Sequence, residues 1–325
     1  MKHFRNMLCV VEPEEENISA MERAVTLAEN NQAKLTVVSV IERITAGIGL
    51  PDGGPISAEL QTKMAQAQRQ KLESLVADYR KRVDIQLNVL QGTPFLEIIR
   101  EVLNNNYDLV VKAPENIEWQ ERVFGSNDMH LLRKCPCPVW IIKPEAPKSY
   151  RYILAAVDIG EDQQVDIDTQ HTLNLQILEK AMSLAISEFA EFHVVHVWNA
   201  VGESAMRGGF LKRPEEQVAT YVEQIRQVRE RGINSLLQQV TEKLGRDTLD
   251  YLKPKIQLVK GFARKEIPAL AKQINADLVV MGTVARTGIP GFIIGNTAES
   301  ILNQIDCSVL AIKPPGFMTP VTTVD

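Results

Sequence analysis

Long hydrophobic runs are missing from this chain. No stretch approaches the 18 consecutive apolar residues of a membrane span, so no transmembrane helix is expected. An excess of positive charge is missing as well: the 325 residues carry 36 basic and 41 acidic side chains, a net charge of -5. That excludes the basic footprint of a general nucleic-acid coat. Cysteine is scarce, at 4 residues, which excludes a small secreted fold held by disulfides. Cys9 and Cys307 sit inside apolar runs, as buried thiols do. Cys135 and Cys137 have one residue between them, where a thioredoxin-type motif has two, and they precede a strand where that motif opens a helix. A reduced, cytoplasmic protein is expected, and with no apolar h-region at the N-terminus, no signal peptide. There is no Gly-Lys-Ser/Thr P-loop, no Gly-x-Gly-x-x-Gly fingerprint after the first strand and no Gly-x-Ser-x-Gly elbow. Zinc-ligand spacing is also missing. His193 and His196 stand three apart on a strand and so face opposite sides, unable to share one metal. No metal ligand and no catalytic base are nominated.

What is present is an ordinary globular composition, 45% apolar and 24% charged, in a length that suits two domains of roughly 150 residues each. The chain also repeats itself, which sets its organisation. Residues 5–12 (RNMLCVVE) align with 151–158 (RYILAAVD), 22–28 with 179–185 and 35–40 with 192–197. Asp108-Leu-Val-Val111 recurs unchanged as Asp277-Leu-Val-Val280, and 137–144 (CPVWIIKP) aligns with 307–314 (CSVLAIKP). Five segments in constant order mean tandem duplication. The expected domains are 1–146 and 150–316, joined by the polar, proline-bearing stretch 145–149. The tail 317–325 is expected to be loosely ordered.

Each repeat alternates strands and helices. In the second, 153–157 is a short unbroken apolar run, the mark of a strand covered on both faces. Helical spacing follows over 173–189 and 215–244, the latter with Val218, Val222, Ile225, Ile233, Leu236, Leu237, Val240 and Leu244 as its stripe. Further strands are expected at 192–197, 256–259, 278–281 and 309–312, and helices at 265–274 and 297–305. The first repeat has a matching long helix over 57–82. Such alternation implies parallel strands with right-handed crossovers. The fold class is α/β: two doubly wound, five-stranded, Rossmann-like domains, binding ligands beyond the carboxyl ends of their strands.

The most informative segment is 281–298, MGTVARTGIPGFIIGNTA, which leaves a strand and enters a helix. Gly282, Gly288, Gly291 and Gly295 permit positive φ and close approach, and Asn296-Thr297 supplies N-cap chemistry. A helix N-terminus with its partial positive charge cradles phosphate, and Arg286 adds a formal charge. The same glycines also suit a tight loop beside packed helices.

Gly282, Ala285, Gly295 and Asn296 fall on the pattern Gly-x2-Gly-x9-Gly-Ser/Thr. With the strand ending AAVD158 and the closing strand CSVLAIK313, the segment resembles the nucleotide loop of the tandem universal stress protein family. The resemblance spans both repeats. It implies an adenine nucleotide, ATP or AMP, with Mg2+ as the accompanying ion. Val157 and Asp158 would face adenine and ribose, Val197 would flank the base, Gly282, Ala285 and Arg286 would border ribose and phosphates, and Gly295, Asn296 and Thr297 would hold phosphates. Ala285 and Asn296 depart from the pattern: Ala285 adds a methyl where the family has Gly, and Asn296, still a good cap, is a larger group than Ser or Thr.

The first repeat has lost this loop. Ala113 stands where Gly282 stands, Glu12 replaces Asp158, and Pro114, Glu115, Glu118 and Glu121 fill a segment of which only Gly125-Ser126 survives. Carboxylates beside a phosphate repel it, so this half is expected not to bind nucleotide in the family's way. The Gly-rich loops after the second strands, 46–55 and 202–210, read either as connections or as lids, with Met206, Phe210 and Leu211 available to line an apolar extension. By resemblance, the two last strands, 139–142 and 309–312, would pair within the chain as a pseudo-dimer. That pairing hides apolar edges and leaves a homodimer of tandems open. The expected function is a non-enzymatic, nucleotide-responsive stress protein acting on a protein partner. The alternatives are a ligand-independent adaptor, with or without an apolar ligand, and a slow ATP hydrolase.

Overall fold

The computed structural model describes residues 4–12, 18–44, 55–115, 124–160, 167–208, 211–245, 247–283 and 295–323. The chain divides into two compact units. One comprises residues 1–148 with 307–325, the other 149–288 with 295–306.

The first unit runs β1 (Asn6–Val10), α1 (Ile18–Asn31), β2 (Lys34–Ile41), α2 (Pro55–Val76), a 3-10 turn (Tyr79–Lys81), β3 (Ile85–Gln91), α3 (Pro94–Asn105), β4 (Leu109–Lys112), α4 (Ser126–Lys134) and β5 (Val139–Ile141). Strands β3-β2-β1-β4-β5 lie side by side, all parallel. β4 and β5 are buried along their whole length, as the apolar runs 109–111 and 139–141 require; β4 ends in the buried Lys112. α3 starts with Pro94 in its first turn and stops at Asn106, whose φ of 53° is the left-handed geometry that ends helices.

The second unit runs β6 (Tyr152–Ala156), α5 (Ile167–Glu188), β7 (Glu191–Trp198), α6 (Glu203–Gly208), α7 (Glu215–Leu244), α8 (Thr248–Leu252), β8 (Lys255–Lys260), α9 (Ala263–Gln273), β9 (Leu278–Gly282) and α10 (Asn296–Leu302). Its strands stand in the order β9-β6-β7-β8, again parallel. The expected stripe of α7 is buried at Val218, Ile233, Leu236, Leu237 and Val240.

The last strand, β10 (Ser308–Ile312), belongs to the first unit. It runs antiparallel to β5, with Val309 opposite Ile141, Leu310 opposite Trp140 and Ala311 opposite Val139. The two closing strands of the repeats therefore pair within one chain. Lys143 N–H donates to Ser308 Oγ at 3.2 Å beside the ladder. In the tail, Thr322 O accepts a hydrogen bond from Arg100 Nε on α3 at 3.3 Å.

The duplicated Asp-Leu-Val-Val motif has a structural cause. Asp108 accepts the backbone N–H groups of Arg5 (2.7 Å) and Asn6 (3.2 Å). Asp277 does the same for Arg151 (2.6 Å) and Tyr152 (3.0 Å). A carboxylate taking two N–H groups satisfies donors left over where the first strand of each repeat begins. This is the end opposite to where a doubly wound sheet binds ligands.

Candidate functional site

The second unit brings most of the expected residues to the carboxyl ends of three adjacent strands. Ala156 of β6 pairs with Met281 of β9 and with Val195 of β7. Val157 and Asp158 thus emerge beside Gly282, with Val197 near the end of β7. The start of α10 is drawn to the same end, because Gly295 N–H donates to Thr283 O at 3.2 Å. Asn296 and Thr297 are exposed there. Ala285 and Arg286 lie outside the described residues, as do Gly288 and Gly291. Two expectations about glycine geometry are corrected. Gly282 closes strand β9, and Gly295 caps α10 at φ -60°, ψ 133°. Neither needs positive φ. Gly282 is required for room: a Cβ there would come within 2.9 Å of Leu173 Cδ2. The glycine lets α5 lie against the sheet.

Three residues not singled out as ligand contacts fix the loop after β6. Asn174, 3% exposed, accepts Asp158 N–H at 3.0 Å and donates Nδ2 to Asp158 O at 2.8 Å. Arg229 of α7 donates Nη1 to Ile159 O (3.2 Å) and Gly160 O (2.8 Å). His196 Nδ1 lies 3.2 Å from Val157 O. The backbone of Asp158 is thereby held on both its N–H and C=O, and its side chain is half-exposed. Asn174 left a faint trace in the sequence, a buried amide beside the apolar Leu173; Arg229 left none on a polar helix face. His193, between Glu191 Oε1 (2.7 Å) and Gln257 Nε2 (3.1 Å), is a strand-to-strand link. The loop after β7 forms α6, with Leu211 exposed; Phe210 lies outside the described residues.

The equivalent place in the first unit is filled from within. Asp128, in the first turn of α4 and 0% exposed, accepts N–H groups from Gly125 (3.0 Å) and Glu115 (2.8 Å). Its other oxygen is paired with the buried Lys112 ammonium. Glu115 accepts Asn127 N–H at 3.1 Å and also meets the Asn127 side chain. The Glu115 carboxylate crowds Gly125 so closely that any Cβ there would collide with it. Two carboxylates thus take up donors at the start of α4, the place that would receive phosphates. Glu118 and Glu121 lie outside the described residues. By the repeat alignment, Lys112 and Asp128 correspond to Met281 and Ala298, so a buried ion pair in one unit is a buried apolar pair in the other.

The sequence profile described as the universal stress protein family matches residues 3–143 and 150–313. The chain belongs to the universal stress protein family. Among its relatives, the universal stress protein E homolog of Haemophilus influenzae is 31% identical over 321 residues, covering 96% of this chain and 98% of that one. Universal stress protein E of Escherichia coli is 28% identical over 334 residues, covering 100% and 99%. A universal stress protein structure from Archaeoglobus fulgidus superposes with a TM-score of 0.60 at 18% identity, covering 96% and 99%. At that identity the likeness is one of fold: two tandem universal stress domains of α/β, Rossmann-like architecture with mostly parallel sheet. Among the described residues no helix is long and apolar enough to cross a membrane.

Proposed function

We propose that this universal stress protein is a stress-response regulator that binds one adenine nucleotide, ATP or AMP, in its second half and performs no chemistry on it. The supporting observation is the contrast between two equivalent helix starts. At α4, Asp128 accepts the N–H of the capping Gly125 and Glu115 accepts that of Asn127 in the first turn. At α10, Ala298 replaces the capping aspartate, Asn296 and Thr297 are exposed, and the unbonded N–H groups of a first helical turn attract anions. One donor is spent: Gly295 N–H goes to Thr283 O. Phosphate oxygens would therefore meet the N–H groups of Asn296 and Thr297 and their side chains, with Arg286 adding charge. Asp158, its backbone fixed by Asn174, would take ribose hydroxyls, and Val157 and Val197 would border the base. Gly282 and Ala285 would line the space between. Binding would alter the surface offered to a protein partner, and the β5–β10 ladder would make the tandem an internal pseudo-dimer.

Titration calorimetry with Mg-ATP on the wild type and on Gly295→Asp tests this reading. One site per chain is expected, lost in the variant, because the new carboxylate would stand against the phosphates. Absence of binding in the wild type would favour the ligand-independent adaptor, a reading that Leu173 packed onto Gly282 supports by giving that glycine a purely structural cause.

A further inference from the structure

We propose that Cys135 and Cys137 form an oxidisable dithiol, closed to an intramolecular disulfide by hydroperoxide, in a buried pocket shared with the side chain of Lys313. The two sulfurs are 3.6 Å apart. They need only approach by about 1.5 Å to reach the length of a disulfide bond. Their backbone is the bend between α4 and β5, whose first residue, Cys135, caps α4 in an extended conformation. A bend closes such a short ring more readily than the helix or strand on either side.

Lys313 is the second observation. It follows β10 and is itself buried. Its ammonium donates to Leu132 O and, at 3.5 Å, to Arg133 O, the carbonyls just ahead of Cys135. It also sits 5.2 Å from the centre of the Phe317 ring. A buried cation beside two thiols favours one of them as thiolate. Burial by itself would raise the Cys135 thiol, but the hydrogen bond from Cys137 and the Lys313 charge bring it below its ordinary value. The hydrogen bond to Cys135 and burial push Cys137 well up. The pair is thus split into an attacking sulfur and a resolving one. Cys9, pushed to about 12 by burial, has no such help.

The chemistry balances with hydrogen peroxide as oxidant. Cys135 sulfur takes one peroxide oxygen, the O–O bond breaks, and the other oxygen leaves as water with the thiol proton. Cys137 sulfur then attacks the sulfenic sulfur. The S–O bond breaks, and hydroxide leaves as a second water with the Cys137 proton. Two thiols are oxidised by two electrons and one peroxide is reduced. Cys135 is 0% and Cys137 7% exposed, so peroxide reaches the attacking sulfur only through local opening of the chain, and the bulkier oxidised glutathione is disfavoured.

The test is peptide mapping of the folded full chain after hydrogen peroxide. Trypsin cuts after Lys134 and not before Pro144, so one peptide, 135–148, carries both cysteines and no other. A loss of about 2 Da in that peptide is expected, reversed by dithiothreitol, with Cys9 and Cys307 still alkylated as thiols. In Cys137→Ser, Cys135 is expected to halt at sulfenic acid and to be labelled by dimedone. In Cys135→Ser, Cys137 should stay reduced. The proposal is overturned if peptide 135–148 keeps its reduced mass while the chain is folded, if it gains oxygen to sulfinic acid, or if the disulfide formed joins two chains. The wild-type map decides the matter even where a serine variant fails to fold.

Discussion

Lys112 and Asp128 illustrate what one residue decides. Truncating Lys112 leaves the Asp128 carboxylate buried without its cation, a loss worth about 3–5 kcal/mol. Lys112→Met should therefore lower the midpoint of chemical denaturation sharply. Adding Asp128→Ala, which recreates the Met281–Ala298 pair of the second unit, should recover much of that loss; a double variant no more stable than the single would disprove the exchange. Gly282 makes the converse case. Gly282→Val pushes a side chain into Leu173 and should cost roughly 1–3 kcal/mol by overpacking, partly relieved by Leu173→Ala, as read from the thermal midpoint. Lys313 adds a pH dependence. Burial lowers its ammonium to about 8, against 10.5 for the ordinary side chain. Between those values the unfolded chain holds a proton that the folded chain does not, so the Lys313 contribution makes stability rise with pH across that window. Lys313→Met should remove that rise when unfolding free energies of the two proteins are compared below and above pH 8.

At the scale of elements, β10 carries an unusual burden: it is encoded at the end of the second repeat and completes the first unit. Leu310 is fully buried opposite Trp140. Leu310→Ala should cost about 2–5 kcal/mol and accelerate hydrogen exchange at β5 amides more than at β8 amides. Equal effects on both would deny β10 its place beside β5. Much of this layer was legible beforehand. The strands were evident from apolar runs flanked by turn residues, and α7 was read over its full observed length because eight apolar residues keep one stripe for 30 positions. The short helices α6 and α8, at 6 and 5 residues, were not legible, since a turn and a half is too short for periodicity to register. The long helix of the first repeat was read through to 82, but it ends at Val76 and gives way to a 3-10 turn. The candidate site was legible only as a place: the repeat singled out Asp158, Gly282 and Gly295, and the topology sets them at one end of the sheet. What escaped was side-chain traffic across the chain. Asn174 bonds the backbone 16 residues away and Arg229 reaches back 69 to Gly160, and no local pattern encodes a long-range hydrogen bond.

For the whole molecule, duplication has produced two halves with one scaffold and different fillings. Features that hold the scaffold recur in both: Asp108 and Asp277 accept equivalent N–H groups, and Gly92 and Gly261, at φ 147° and 154°, leave room for Glu97 and Glu266. Features at the carboxyl ends of the strands have diverged: Lys112 and Asp128 form a buried ion pair in the first half where Met281 and Ala298 stand in the second. The halves should therefore respond differently to the same change. Glu115→Ala should leave Mg-ATP stoichiometry at one per chain, since Asp128 still accepts Gly125 N–H; a second calorimetric site would show that Glu115 alone had closed the first half.

The last strand also has a consequence for how the protein is made. A ribosome delivers β5 roughly 165 residues before β10, and at ordinary rates of synthesis that interval is on the order of ten to thirty seconds. Throughout it, the nascent first unit presents the bare edge of β5 to its surroundings, and any transcript cut short before Ser308 leaves it so permanently. Completion of the first-born unit thus waits until residue 312 has been made.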